Sequence, residues 1–355
     1  MKKIVLTGGG TAGHVTPNIA LIPKLKELGY EIHYIGSIDG IERNLIEKLG
    51  IPYYPIHTGK LRRYFSLKNF SDPFRVLKGG KEAKQIIKKL KPNIIFSKGG
   101  FVSVPVVKAG QLTKTPVIIH ESDLTPGLAN KLSFSSASKV CCNFPETMQF
   151  LPADKAVLTG SPIRKELLEG SAAKGKELCG FDDNLPIIMI IGGSIGAGPI
   201  NDAIRGILPE LLTRYQIVHL CGKGKLDEQL VNTPGYKQFE YISDELPHVF
   251  AMADIVISRA GANSICEILA LKKPNLLIPL SAKASRGDQI LNAKSFESQG
   301  FSYVLQEEDM TDSTLLSAIE KVLYEKDKYI NAMTAATQID SVTKVINLIE
   351  ETALN

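Results

Sequence analysis

Short apolar runs recur along this chain, each ending in a polar or glycine-containing turn and most followed by residues that are apolar at helical spacing. Lys3–Thr7 reads as a buried strand, Gly8–His14 as a glycine-rich turn and Val15–Leu28 as a helix. The cycle repeats with strands at Glu31–Ile35, Tyr53–Ile56, Asn93–Ser97, Pro116–His120, Lys139–Cys142 and Ala156–Thr159. Helices are predicted between them at Ile41–Leu49, Lys81–Leu90 and Val102–Leu112. After polar Glu166–Asn184, which reads as a linker or surface helix, a second series opens with a strand at Pro186–Ile191. It turns through Gly192–Gly198, enters a helix near Ile200, and continues with strands at Gln216–Cys221, Gln238–Tyr241, Ile255–Ser258, Asn275–Pro279 and Phe301–Val304. Val342–Glu351 is a terminal amphipathic helix. Strands alternating with helices imply the α/β class, with parallel sheets covered on both faces. The chain therefore reads as two doubly wound halves in tandem, each beginning strand, glycine-rich turn, helix.

Composition narrows this picture only slightly. The 355 residues suffice for two domains, and 44% hydrophobic with 22% charged residues is ordinary for a soluble globular protein. Five cysteines without a Cys-x-x-Cys pair argue against a disulfide scaffold and against a zinc site. The apolar run after Met1 is too short for a signal peptide, and nothing approaches the ~18 apolar residues of a spanning helix. A soluble or at most peripheral protein is expected.

The net charge of +5 matters less than its distribution. From Lys60 to Lys91 the chain carries Arg62, Arg63, Lys68, Arg75, Lys78, Lys81, Lys84, Lys88 and Lys89 against only Asp72 and Glu82. Tyr64, Phe65, Phe70, Phe74 and Leu77 are interleaved. Basic residues bordering apolar ones suit the headgroup zone of an anionic membrane, at roughly 1 kcal/mol per basic side chain. A solvated helix face is the plainer alternative. Nucleic acid ranks below both, because no familiar nucleic-acid motif accompanies the charges.

Chemistry concentrates in Ser258–Asn292. Gly261 and Ala262 open a helix with small residues, leaving backbone N–H groups and the positive helix end for a phosphate. Glu267 stands six residues further on, roughly 9 Å along the helix at ~1.5 Å per residue, which suits a ribose beyond a diphosphate. Asp288, Gln289 and Asn292 crowd the first turn of the next helix like groups meeting a polyol. Gly8-x-Gly10-x-x-Gly13 matches the dinucleotide fingerprint, but the second strand ends Tyr34-Ile-Gly-Ser37 and Asp39 comes too late to hold a ribose. His14 at the helix mouth favours some other site there. Gly192-Gly-Ser194-Ile-Gly196 matches a hydrolase nucleophile elbow, yet only His219 and His248 lie downstream, so Ser194 reads instead as a phosphate-binding hydroxyl. His120-Glu121 closes a strand where α/β sheets gather ligand residues. The chain has no P-loop signature, no His-Glu-x-x-His and no Asp-x-Asp pair, so neither metal nor cofactor is implied.

These motifs occur in an order that resembles the bacterial GT-B glycosyltransferases of family 28. The resemblance rests on Gly8–His14, Ser97–Ser103, His120-Glu121, Gly160–Arg164, Gly192–Gly196, Ser258–Glu267 and Asp288–Asn292. It implies a GT-B fold, two Rossmann-like domains facing across a cleft, and transfer of N-acetylglucosamine from UDP-GlcNAc to lipid I, forming lipid II. The expected domains are 1–163, binding acceptor and membrane; 164–338, binding the UDP-sugar; and 339–355, a helix returning to the first domain. The resemblance assigns Thr11, Ala12, Gly13, Arg164, Ser194, Gly261, Ala262, Glu267, Gln289 and Asn292 to UDP-GlcNAc, and His14 and Glu121 to catalysis. Asp123 and Phe101 fall on the acceptor side. The chain departs from the family pattern at Phe101, where an aromatic hydroxyl is common, and at Ser122-Asp123 in place of Gln-Asn. It departs again at Asp288-Gln289, in place of Gln-Gln. His14, Glu121 and Asp123 all remain candidates for the general base. The implied location is the cytoplasmic face of the cell membrane, peripherally bound, with no nucleic-acid partner. A GT-B transferase acting on a diacylglycerol-type lipid and a UDP-GlcNAc epimerase are the alternatives.

Overall fold

A computed structural model describes residues 2–59, 68–182, 184–193, 196–285, 287–336 and 340–354, with only the backbone described for 68–74. Ser194 and the stretch 60–67, including Arg62 and Arg63, lie outside the described residues. The chain divides into two compact units, Met1–Arg164 with Asp340–Asn355, and Lys165–Ile339.

The first unit holds β1 (Lys3–Thr7), β2 (Glu31–Ser37), β3 (Tyr53–Ile56), β4 (Ile94–Ser97), β5 (Val117–Glu121), β6 (Lys139–Cys142) and β7 (Ala156–Leu158). They form one parallel sheet in the order β3-β2-β1-β4-β5-β6-β7. Such strands are sandwiched between helices, so they read as near-continuous apolar runs; Ile4, Val5 and Leu6 of β1 and Ile94, Ile95 and Phe96 of β4 are all fully buried. The strand order reverses between β1 and β4, which pair Thr7 with Ser97. The turn after β1 and the loop after β4 therefore leave the sheet side by side, at the position where open α/β sheets bind ligands.

The second unit repeats the plan with β8 (Ile187–Ile191), β9 (Gln216–Leu220), β10 (Tyr236–Phe239), β11 (Ile255–Ser258), β12 (Asn275–Leu277) and β13 (Tyr303–Val304). Its parallel order is β10-β9-β8-β11-β12-β13. The reversal here falls between β8 and β11, with Ile191 opposite Ser258. The Gly192 turn and the Gly261 helix start are thereby brought to one end of the sheet.

Two elements differ from the sequence reading. The helix expected from Lys81 runs over Lys68–Leu90, straight through Gly79-Gly80. A Cβ at Gly79 would collide with the backbone carbonyl of His57, so glycine there permits close packing of helix on chain. The polar segment 166–184 contains two short helices, Lys165–Leu168 and Ala172–Cys179. The terminal helix Ser341–Thr352 packs in the first unit, where Val345, Ile346 and Ile349 join Leu21, Ile22 and Leu25 in one core. Its end is fastened by Lys2 to Glu350 at 2.6 Å and by Asn93 Nδ2 to Leu354 O, also at 2.6 Å.

Candidate active site

In the second unit, β11 runs into helix Ala262–Ala270 through a Gly261 N-cap with φ −67° and ψ 134°. No side chain caps this helix and no acidic residue occupies its first turn, so its N–H groups keep their positive field. The neighbouring turn after β8 is held by close contacts. A Cβ on Gly192 would lie 2.5 Å from Ala197 N, and one on Gly196, whose φ is +72°, would strike Cys221 O.

Beneath this turn lies a buried network. Asn201 Nδ2 donates to Cys221 O at 2.9 Å, and its Oδ1 lies 3.0 Å from His219 Nε2, which must donate. His219 Nδ1 then accepts from the Tyr236 hydroxyl at 2.8 Å. Burial, aided by Arg205, lowers the His219 pKa to about 3, so the ring is neutral and both nitrogens are committed. His248 Nδ1 accepts from Ser171 N at 2.9 Å. Both histidines downstream of the Gly192 turn thus perform structural tasks, which argues against a hydrolase triad.

Glu267 is half-buried on the fifth residue beyond Ala262. Asp288 begins helix Asp288–Ser298 after Gly287 in the left-handed conformation, φ +81°. Gln289 Oε1 accepts from Leu280 N at 3.0 Å and so pins the preceding polar loop. Asn292 is fully buried, and its Nδ2 donates to Ala260 O at 3.2 Å, fixing the entry to the Gly261 helix. Arg259, not singled out from sequence, donates to Ile278 O and Pro279 O at 3.1 and 3.2 Å and pairs with Glu307. It ties the ends of β11 and β12 together instead of facing a ligand.

In the first unit the Gly8–Gly13 turn carries an anion of its own. Glu42, fully buried, accepts from Gly10 N at 3.1 Å, from Ser37 N at 3.0 Å and from Ser37 Oγ. A Cβ on Gly9 would collide with the same carboxylate. The dinucleotide fingerprint is therefore present in spacing while one of its donors, Gly10 N, is taken by a side chain. Thr11 and Ala12 are exposed and Gly13 half-buried on the turn that leads to His14.

His14 Nδ1 lies 3.1 Å from the carbonyl oxygen of Lys98. A carbonyl only accepts, so Nδ1 bears the proton and Nε2 the lone pair of the neutral ring. Burial and then the Lys98 charge lower the His14 pKa to about 4, against the opposing pull of Glu42. The ring is a neutral acceptor at pH 7.

Glu121 has a part different from the catalytic one read from sequence. Its Oε1 accepts from Ser122 N at 2.8 Å and Asp123 N at 3.1 Å, and its Oε2 from Gly127 N at 2.9 Å and Asn130 Nδ2 at 2.8 Å. Burial raises its pKa while these bonds lower it. With both oxygens so engaged, the carboxylate builds the loop that presents half-buried Asp123. Phe101 is half-buried beside the loop after β4. Arg164 ends the first unit, and its Nε is buried without a hydrogen-bond partner among the described residues. Sequence reasoning missed Glu42 and Lys98; only the quoted Ser97-Lys-Gly-Gly motif hinted at the second.

Comparison with known proteins follows this geometry closely. Residues 4–142 match the glycosyltransferase family 28 N-terminal domain and residues 187–349 its C-terminal domain. The chain is 65% identical to the UDP-N-acetylglucosamine–N-acetylmuramyl-(pentapeptide) pyrophosphoryl-undecaprenol N-acetylglucosamine transferase of Lachnoclostridium phytofermentans, covering 100% of both chains. It is 66% identical to the enzyme of the same name from Lachnospira eligens, over 99% of each. The crystal structure of Acinetobacter baumannii MurG superposes with a TM-score of 0.79 at 26% identity, covering 99% of this chain and 100% of that one. With both family domains matched in order and relatives alike from end to end, the chain belongs to glycosyltransferase family 28.

Proposed function

We propose that this enzyme transfers N-acetylglucosamine from UDP-GlcNAc to the muramyl 4-hydroxyl of lipid I, forming lipid II with inversion at the anomeric carbon. The observation that carries this reading is the 65% identity to the Lachnoclostridium transferase across the whole of both chains. Transfer breaks the bond between the anomeric carbon and the diphosphate, so negative charge grows on UDP while the acceptor hydroxyl loses its proton. The uncapped start of helix Ala262–Ala270 supports phosphate stabilisation at Gly261 and Ala262, because preorganised donors act where charge develops. Arg164, with its unpartnered Nε, is a further phosphate ligand in this reading, and Ser194 supplies a hydroxyl. Glu267 takes the ribose. Gln289 shapes the sugar pocket of the second unit through Leu280 N and Asn292 through Ala260 O, and Thr11, Ala12 and Gly13 are further candidates for UDP-GlcNAc.

His14 Nε2 is the base that receives the acceptor proton. The tautomer favours it, and Glu121 serves by holding the Ser122–Asp123 loop on the acceptor side, next to Phe101. Membrane attachment on the cytoplasmic face is drawn from the basic interval. Arg75, Leu77, Lys78, Lys81, Lys88, Lys89 and Lys91 are exposed, Leu77 by 66%, and no described helix is long and apolar enough to cross a membrane. Arg75→Glu with Lys81→Glu should weaken sedimentation with anionic vesicles, and unchanged sedimentation would remove this part of the proposal.

Fold alone does not separate the alternatives, since a putative UDP-N-acetylglucosamine 2-epimerase from Listeria monocytogenes superposes at a TM-score of 0.66 with 11% identity. Incubation with labelled UDP-GlcNAc does. Label should move to a lipid I analogue, with UDP released only when that acceptor is present. Transfer to diacylglycerol instead, or conversion to another free UDP-sugar, would overturn the assignment.

A further inference from the structure

Beside the first-unit site lies a cation that the reaction, as derived, does not use. Lys98 follows β4, and its side chain is entirely buried. Its Nζ is 2.9 Å from His120 Nδ1 and also donates to Ser122 Oγ. His120 Nε2 donates to Gly160 O at 2.8 Å, which fixes its tautomer and leaves Nδ1 to accept from the lysine. The carbonyl of the same lysine receives His14 Nδ1–H at 3.1 Å. Burying an ammonium is costly, and an apolar side chain of similar volume would fill this space at lower cost. The charge therefore calls for a use.

We propose that Lys98 is a positioning residue for the transfer reaction: its carbonyl orients the His14 ring, and its buried ammonium fixes the Ser122–Asp123 turn of the acceptor side. One residue, through its backbone and its side chain, would then coordinate the two halves of that site, and the departure from the family pattern at Ser122 is accounted for, since a small hydroxyl there is a partner for the buried lysine. The ammonium also acts through space. It opposes protonation of His14 and His120, while Glu42, from the helix after β2, favours protonation of His14. Cys141 on β6 also senses Lys98, its thiol raised to about 12 by burial with the lysine opposing.

This inference rests on the transferase reading with His14 as base. The test compares wild type with Lys98→Met, Lys98→Arg and Ser122→Ala. Acceptor-dependent turnover of the wild type first establishes the reading itself. In Lys98→Met the acid limb of the kcat/KM profile should move up by about one pH unit, because a positive neighbour has been removed. KM for UDP-GlcNAc should stay put while kcat falls, and Lys98→Arg should restore the limb. An unchanged limb in Lys98→Met, whether activity is kept or lost evenly across pH, would overturn the proposal. If that variant does not fold, Ser122→Ala decides: KM for the lipid acceptor should rise severalfold with donor KM constant, and an unchanged acceptor KM contradicts the idea. Titration of the His14 ring by NMR in the same proteins reads the charge effect without turnover. It therefore separates failure of this inference from failure of the transferase assignment.

Discussion

The two units carry the same arrangement at the reversal of their sheets, and finish it in opposite ways. After β1, the glycine-rich turn has Gly10 N taken by Glu42, a fully buried carboxylate that also bonds Ser37 N at the end of β2. After β11, helix Ala262–Ala270 opens with no side-chain cap and no acidic residue in its first turn. The first turn has a carboxylate of the chain itself on Gly10 N; among the described residues the second has none. A glycine-rich turn between strand and helix is thus a backbone shape, and the side chain that does or does not fill it decides whether it binds a phosphate.

The comparison breaks most visibly at the chemistry assigned to the filled side. His14→Ala should lower kcat by ~10²–10⁴-fold, the usual contribution of a positioned base, with UDP affinity unchanged. Near-normal turnover would return the base role to Asp123. In the wild type, the His14 pKa near 4 means that the neutral ring persists well below pH 6.5, so the acid limb should lie near 4.

A second contrast concerns what supports each turn. The second relies on neutral His219, whose folded pKa of about 3 lies below its ordinary 6.5. Protons then bind preferentially to the unfolded chain, so this contribution is complete above pH 6.5 and is lost as the pH falls toward 3. Between pH 6.5 and 4 the loss should be about 3 kcal/mol for this one buried group. His219→Gln should flatten the pH dependence of unfolding over that interval; an identical slope would show that the ring does not bear this load. Smaller still is the effect of Glu42→Gln. It leaves a buried N–H facing an amide donor, at a cost of about 2 kcal/mol in stability. UDP affinity should not change, because the first turn does not hold the phosphates.

Much of this architecture was legible in the chain itself. Lys3–Thr7, Tyr53–Ile56, Lys139–Cys142 and Ile255–Ser258 occur as strands over the residues predicted, because doubly covered parallel strands need unbroken apolar runs. The helix start at Lys68 was not legible, and neither was the reason for Gly79, whose glycine makes room for the carbonyl of His57, a contact no local pattern contains. The helix start after β11 could be read because small residues at Gly261 and Ala262 are a local signal. Glu42 could not, because its meaning depends on Gly10, 32 residues away. Glu121 was only partly legible for a related reason: sequence marks a carboxylate at a strand end and does not reveal that Asn130 and Gly127 return to bond it. The burial of Lys98 could not be read either, because its partners His120 and Ser122 lie on and after β5, more than twenty residues away.

The central claim of the proposal is that the diphosphate binds at the second unit's helix start, which no side chain caps among the described residues. Gly261 has φ −67° and ψ 134°, a conformation open to any residue, and a Cβ there would meet only Ser264 Oγ at 4.0 Å. Gly261→Asp would therefore add the carboxylate cap that the first unit already has in Glu42. A capping aspartate is, if anything, a few tenths of a kcal/mol better for the helix than glycine. Calorimetric titration of Gly261→Asp with UDP, beside Gly261→Ala as the steric control, is the direct measurement. The account predicts a protein at least as stable as wild type that binds UDP about tenfold or more weakly, while the alanine variant binds nearly normally. Wild-type UDP affinity in Gly261→Asp would contradict it.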